Sequence, residues 1–161
     1  MEKRESFTLI ELLIVVSLIA LLTSIFLSHF SSVKERAKIK RTEMELDQIK
    51  KAIITAQYRE DKVLLQITGS NCSDCACRTG EDLSKIPDTH QCIINWKNAF
   101  NKIGIVPVKD SWGSPYLIDE NELEGGGCTK DSLRSAGPDR IWGGSDDILI
   151  YIPLYSSLCA E

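Results

Sequence analysis

The first part of the chain lacks the residues that interrupt helices. No proline or glycine precedes Gly69, and no cysteine precedes Cys72. Histidine is scarce, with two in 161 residues, and we find neither a paired nucleophile and base nor an oxyanion signature. The missing helix breakers permit one long amino-terminal helix, and the missing catalytic groups argue against an enzyme.

Charge is also missing from a long stretch near the amino terminus. Across residues 7–27 nearly every residue is apolar or small, and Glu11 is the only charged one. About 20 such residues are what a helix needs to cross a bilayer. A cleaved secretory signal has a shorter apolar core and a small-residue cleavage site, whereas here the downstream flank is basic. We therefore expect residues 7–30 to form a retained membrane helix.

The net charge and the cysteines limit the partners and the compartment. A net charge of −4 makes the chain a poor binder of nucleic acid. Six cysteines, all beyond residue 70, favour an oxidising compartment. Basic residues after the apolar stretch outnumber those before it, which by itself would place the long domain in the cytoplasm. The cysteines and the amino-terminal motif described below favour the opposite orientation.

An apolar stripe follows the apolar stretch and predicts an amphipathic continuation of the helix. Its members recur at steps of three and four: Ile39, Thr42, Leu46, Ile49, Ile53 and Ala56. Strands are expected near residues 116–118, 132–135 and 148–152, with a short helix or turn ahead of Pro107. We expect the stripe to pack on the chain's own sheet, which gives an α+β fold: a long helix on a small antiparallel sheet.

The amino terminus carries a specific motif. A charged leader at residues 2–5 and Ser6 precede the run FTLIELLIVV, which begins at Phe7. This pattern resembles the class III signal of type IV pilins and pseudopilins, although that family normally has glycine where this chain has Ser6. The resemblance implies that prepilin peptidase cuts between Ser6 and Phe7 and that the new amino terminus is methylated. It also implies that Glu11 meets the amine of Phe7 on a neighbouring subunit.

The carboxy-terminal part carries further motifs. The D-x-W-G-x-P-Y pattern at residues 110–116, with residues 135–139 and 143–148, resembles the globular domain of major pseudopilins of type II secretion systems. Calcium prefers six to eight oxygen ligands, and the acidic loop at residues 139–147 offers them. The ligands expected are Asp139, Ser145, Asp146 and Asp147, with the carbonyls of Ala136 and Ile141. The matching loop of pseudopilins binds calcium; the alternative is a solvated turn capped by aspartates.

The cysteines are predicted to form three disulfides. They are Cys72, Cys75, Cys77, Cys92, Cys128 and Cys159. Cys128 and Cys159 are plausible partners, but six cysteines allow about 15 connectivities and the sequence leaves them open. Zinc bound by His90 and the four cysteines of residues 72–92, or redox chemistry at the C-x-x-C pair, are the alternatives.

These patterns predict five segments. They are a leader (residues 1–6), a transmembrane and filament-core helix (7–30), an amphipathic helix half (31–62), a Cys-rich variable region (63–108) and a carboxy-terminal sheet with an acidic calcium loop (109–161).

The function expected is that of a structural subunit in a pilus-like filament, either a secretion pseudopilus or a surface pilus for adhesion, motility or DNA uptake. The resemblance implies copies of the chain, prepilin peptidase and an inner-membrane assembly platform as partners. The chain would cross the inner membrane once before assembly, with its domain periplasmic or extracellular. Glu11 favours an ordinary subunit over a minor, initiating one. The alternative from another class is a membrane-tethered metal-binding or redox module.

Overall fold

The computed structural model describes residues 8–69 and 72–159, apart from the side chains of residues 25–29. The helices are α1 (Leu9–Glu60), α2 (Leu64–Thr68) and α3 (Gln91–Ile103), and the strands are β1 (Leu117–Asp119), β2 (Ser132–Ser135) and β3 (Ile148–Tyr151). Short 3₁₀ turns occur at Cys75–Cys77, Leu83–Lys85 and Glu124–Gly126. The fold is α+β, as predicted.

The chain divides into two compact units, Met1–Ala37 and Lys38–Glu161. In the first unit, α1 is continuous because no proline or glycine interrupts it. The large apolar side chains described from Leu9 to Leu22 are exposed, and Leu9 is 83% exposed. No helix within the described ranges meets the length and hydropathy that a membrane span requires. The membrane helix expected at residues 7–30 stays a prediction.

The second unit begins with the amphipathic half of α1. Its buried stripe consists of Thr42, Leu46, Ile49, Ile53 and Ala56, while Ile39 is half-buried. Leu46, Ile49, Ile53 and Ala56 join one core with α3 and the sheet. The Tyr116 hydroxyl donates to Glu45 Oε2 at 2.6 Å, which anchors the approach to β1 on the helix. The predicted packing of the stripe on the chain's own sheet is confirmed.

The sheet has three antiparallel strands in the order β1-β2-β3. Ile118 lies opposite Leu133, and Leu133 lies opposite Ile150, so these three side chains share the face that meets the core. The strands are short, and β1 begins after a turn held by Asp110. Asp110 Oδ1 accepts hydrogen bonds from the backbone N–H groups of Trp112 at 3.0 Å and Ser114 at 2.8 Å.

The Cys-rich region at residues 63–108 contributes many side chains to the hydrophobic core. Helix α3 buries Ile93, Trp96, Phe100 and Ile103 on one face. This is the helix expected ahead of Pro107, and it starts at Gln91 because the His90 imidazole caps it: Nδ1 accepts the Cys92 N–H at 3.1 Å. It ends at Gly104, whose φ of 85° favours glycine. The Cys-rich region is therefore part of the hydrophobic core.

The stripe makes a prediction about stability. Ile53→Ala should lower the free energy of unfolding by about 2–5 kcal/mol, because Ile53 is fully buried and its truncation leaves a cavity. Urea denaturation of the purified protein measures the change. Met44→Ala on the same helix is the control, since Met44 is 65% exposed and should cost no more than about 0.5 kcal/mol. Equal effects of the two substitutions would contradict the burial.

Candidate functional site

The first turn of α1 holds Glu11 in a capping box. The Thr8 N–H donates to Glu11 Oε2 at 2.9 Å, and the Thr8 hydroxyl donates to the same oxygen at 2.7 Å. The Glu11 N–H in turn donates to Thr8 Oγ1 at 3.4 Å. This reciprocal T-x-x-E arrangement satisfies N–H groups that the first helical turn leaves without partners. The sequence contains the pattern, but only the assembly role of Glu11 was expected.

The predicted processing residues cannot be placed in the same way. Ser6 and Phe7 lie outside the described residues. Glu11 is therefore the one predicted assembly residue with a described contact. Its carboxylate serves the start of its own helix within a single chain.

All six cysteines are paired. The disulfides are Cys72–Cys75, Cys77–Cys92 and Cys128–Cys159, and the last pair is the one that the sequence analysis proposed. Cys77 and Cys92 are buried, whereas Cys75 is exposed. The sulfur atoms of the zinc alternative are bonded to one another here, and His90 caps α3, so this arrangement does not provide the tetrahedral set that zinc requires.

The acidic loop brings three of the four predicted metal ligands together. One carboxylate oxygen from each of Asp139, Asp146 and Asp147 lies within 4.8 Å of the others. Backbone N–H groups hold these side chains: Asp139 N–H donates to Asp146 Oδ2 at 2.9 Å, and Ile141 N–H donates to Asp139 Oδ1 at 2.8 Å. Ser145, the fourth predicted ligand, is exposed in the same loop.

Asp139 Oδ2 and Asp146 Oδ1 lie beside Gly144, where a larger residue would fill the space between them. A Cβ on Gly144 would lie 2.6 Å from Asp139 Oδ2 and 2.8 Å from Asp146 Oδ1. Asp147 Oδ1 is buried and has no hydrogen-bond partner among the described residues. Such oxygens suit a hard cation like calcium, so the residues of the loop fit the ion that the resemblance implies. The binding itself stays a prediction.

A fixed positive charge already contacts this cluster. The Arg134 Nη1 of β2 donates to Asp147 Oδ2 at 2.9 Å, and the Gly143 N–H donates to the same oxygen at 3.0 Å. Oδ2 of Asp147 therefore accepts hydrogen bonds from the protein, whereas Oδ1 accepts none from the described residues. The guanidinium partly balances the repulsion among the three carboxylates.

Comparison with known proteins finds a match at the amino terminus. Residues 1–27 match the family model described as the prokaryotic N-terminal methylation motif. The chain carries this motif. No curated protein and no solved structure matches the chain. The methylation motif includes Ser6, Phe7 and Glu11, which are the residues predicted for processing and assembly.

The methylation motif is the class III signal of type IV pilins and pseudopilins. It supports a pilin-like or pseudopilin subunit, and it implies processing by prepilin peptidase and a membrane-anchored precursor. The α+β fold behind the motif, with a long helix on a three-stranded sheet and three disulfides, is consistent with a pilin fold.

Three buried carboxylates are titratable groups that the sequence did not reveal. Glu120, Glu122 and Asp131 are almost completely buried. The Ser73 N–H donates to Glu120 Oε2 at 2.7 Å, and the Asn121 N–H donates to Asp131 Oδ1 at 2.7 Å. Burial raises the pKa of Glu120 to about 7 and that of Asp131 to about 6. They lie in or near an acidic run that looks like ordinary solvent-exposed loop, so no pattern distinguished them.

Glu120 should make stability depend on pH. Its pKa is 4.5 in the unfolded chain and about 7 in the folded protein, so the folded state binds more protons between these values. The free energy of unfolding should therefore fall as pH rises from about 4.5 to about 7 and level off above that, by on the order of 3 kcal/mol for this group.

Glu120→Gln tests this dependence. Glutamine keeps an oxygen for the Ser73 N–H but does not titrate. Urea denaturation at several pH values should show a shallower decline for the variant than for the wild-type protein. The difference between the two curves isolates Glu120 from Asp131, whose raised pKa acts in the same direction. Parallel curves would mean that the pKa of Glu120 is the same in the folded and unfolded states.

Proposed function

We propose that the chain is an ordinary structural subunit of a type IV pilus-like filament, and within that class the major subunit of a secretion pseudopilus. The observation that carries the proposal is the match of residues 1–27 to the N-terminal methylation motif. The pilin-like α+β fold of the described residues supports it. The chain would act by assembling with copies of itself, not by catalysis.

The first unit supplies the surface that would assemble. From Leu9 to Leu22 the large apolar side chains of α1 are between 46% and 83% exposed. Leaving such a surface in water is costly, at about 25 cal/mol for each Å² of apolar area. Lipid would cover it before assembly, and the helices of neighbouring subunits would cover it in the filament.

Glu11 would set the register of that packing. In one chain its Oε2 accepts two hydrogen bonds from Thr8. Cleavage after Ser6 would create a positive amine at Phe7. The proposed pairing brings this amine on one subunit to the Glu11 carboxylate of the next, because each charge is costly in an apolar core unless the other neutralises it.

The acidic loop favours the pseudopilus over a surface pilus. The calcium that we propose would bind the oxygens of Asp139, Asp146 and Asp147 and supply a divalent charge that the single Arg134 cannot match. Its role would be structural, fixing the loop against the sheet. A surface pilin for adhesion, motility or DNA uptake is the alternative within the same class, and the acidic loop is the feature that separates the two proposals.

Glu11→Gln and Glu11→Ala together test the assembly role. Glutamine can complete a capping box, so Glu11→Gln keeps the helix start but removes the negative charge. If Glu11 pairs with an amine, both variants should insert into the membrane normally yet yield at least about tenfold less filament, a loss of about 1.4 kcal/mol or more per contact. Filaments sheared from cells and the membrane fraction are quantified by immunoblot.

Glu43→Ala is the matched control, since Glu43 is a carboxylate on the same helix outside the apolar segment. It should assemble like the wild-type protein. Normal filaments from Glu11→Gln, with a defect only in Glu11→Ala, would reduce the role of Glu11 to helix capping.

Asp139→Asn tests the cation. The substitution keeps an oxygen for the Ile141 N–H and replaces the outward Oδ2 by an amide nitrogen, which cannot bind calcium. Calcium at about 100 times its Kd should stabilise the wild-type protein by about 2.7 kcal/mol and raise Tm by several degrees. The variant should lose this gain, so that its Tm is the same in calcium and in chelator.

Asp88→Asn is the control for charge alone, since Asp88 is 77% exposed and lies outside the loop. It should retain the full response to calcium. A wild-type protein whose Tm is the same in calcium and in chelator would remove the calcium part of the proposal and leave the filament part standing.

A further inference from the structure

Trp142 lies in the acidic loop and contacts two other parts of the chain, the segment that contains Asp74 and Arg78 and the strand β2 that contains Arg134. The guanidinium carbon of Arg78 lies 4.8 Å from a ring centroid of Trp142, and that of Arg134 lies 5.0 Å away. The indole Nε1 donates to Asp74 Oδ2 at 3.1 Å. Cation–π contacts of this kind contribute about 0.5–1 kcal/mol each at exposed sites and more when desolvated. The indole therefore joins the loop to two elements that are distant in sequence.

On one side of the indole is the Cys72–Cys75 disulfide. Asp74 lies inside the small ring that this bridge closes, and its side chain is buried. Its N–H donates to the Ile118 carbonyl at 3.0 Å, and Arg78 Nη2 donates to Asp74 Oδ1 at 2.7 Å. Because the bridge fixes the backbone on both sides of Asp74, it also fixes the acceptor of the indole N–H.

The indole also lies next to two groups that hold Asp147 of the acidic loop. Arg134 contacts the indole and donates to Asp147 Oδ2. Gly143, the residue after Trp142, donates its N–H to the same oxygen. Two of the groups that hold Asp147 are thus positioned by Trp142, one by contact with the ring and one by the chain itself. A shift of the indole would disturb both.

We infer that Trp142 is a positioning residue that couples the Cys72–Cys75 disulfide to the acidic loop, so that closing the bridge orders the loop. The coupling needs no metal. Where it deepens the proposed calcium site, and so rests on that proposal, it follows that the closed bridge raises calcium affinity and that calcium stabilises the bridge by the same factor, because linkage is reciprocal.

The coupling implies an order of maturation for the subunit. Closing the bridge joins two thiol sulfurs, releases two protons and passes two electrons to an external disulfide, which becomes a dithiol. Cys75 is exposed and accessible to such a partner, whereas the Cys77–Cys92 pair is buried. A subunit in a reducing compartment would carry a loosened loop with weak cation affinity. The loop would reach full affinity only after oxidation on the far side of the membrane.

Hydrogen exchange in chelator tests the coupling without any metal. Amide protection of residues 139–147 is compared between the wild-type protein and the double variant Cys72→Ser/Cys75→Ser. The double variant should lose protection in this loop by about tenfold. Cys128→Ser/Cys159→Ser is the control, because it opens the bridge of the carboxy-terminal tail, and it should leave the loop unchanged.

Trp142→Phe tests the route. Phenylalanine keeps an aromatic ring for the two arginines but lacks the N–H that Asp74 accepts. With the bridge intact, this variant alone should raise exchange in the loop, which serves as the test if the double variant does not fold. Combined with Cys72→Ser/Cys75→Ser it should add little, as expected for groups acting in one pathway. Fully additive effects would overturn the role of Trp142.

Calcium titration by calorimetry then separates the two proposals. The wild-type protein should bind about fivefold or more tightly than Cys72→Ser/Cys75→Ser. Equal affinities together with equal loop exchange would overturn the coupling while the calcium site stands. A wild-type protein that binds no calcium would refute the calcium proposal, and the exchange data in chelator would still decide the coupling.

Discussion

The fold of the second unit, Lys38–Glu161, depends on the burial of one stripe of α1. Leu46, Ile49, Ile53 and Ala56 give α3 and the sheet a common apolar surface. The strands contain three or four residues each, too few to form a stable sheet alone. The position of α1 therefore sets the position of Tyr116 and of the start of β1. The other two strands are then placed by their pairing with β1 and with each other.

Carboxylates take over much of the organisation that longer strands would otherwise provide. Asp110, Glu120, Glu122 and Asp131 are buried, and each accepts hydrogen bonds from backbone N–H groups of a loop. A buried N–H without a partner is costly, so these side chains stabilise loop conformations that no ladder supports. Burial of the carboxylates themselves disfavours their charged form, which raises the pKa values of Glu120 and Asp131. The three disulfides restrict the same irregular segments covalently.

Carboxylates create opposite electrostatic situations at the amino terminus and in the acidic loop. At the amino terminus Glu11 is a lone carboxylate in an apolar helix, and its partner in one chain is the first turn of that helix. In the acidic loop three carboxylates lie close together, and Arg134 balances only part of their charge. Both arrangements leave electrostatic interactions that a further positive group could complete, an amine in the first case and a cation in the second.

Periodicity and local motifs decided much of the outcome. The stripe of α1, the three strands, the proximity of the three aspartates and the amino-terminal motif could all be predicted, because each depends on residues near in sequence or on a pattern that repeats along one element. The burial of Glu120 and the contacts of Trp142 with Asp74, Arg78 and Arg134 could not. These depend on which segments meet in space, and burial and charge pairing are properties of that meeting, which the order of residues along the chain does not display.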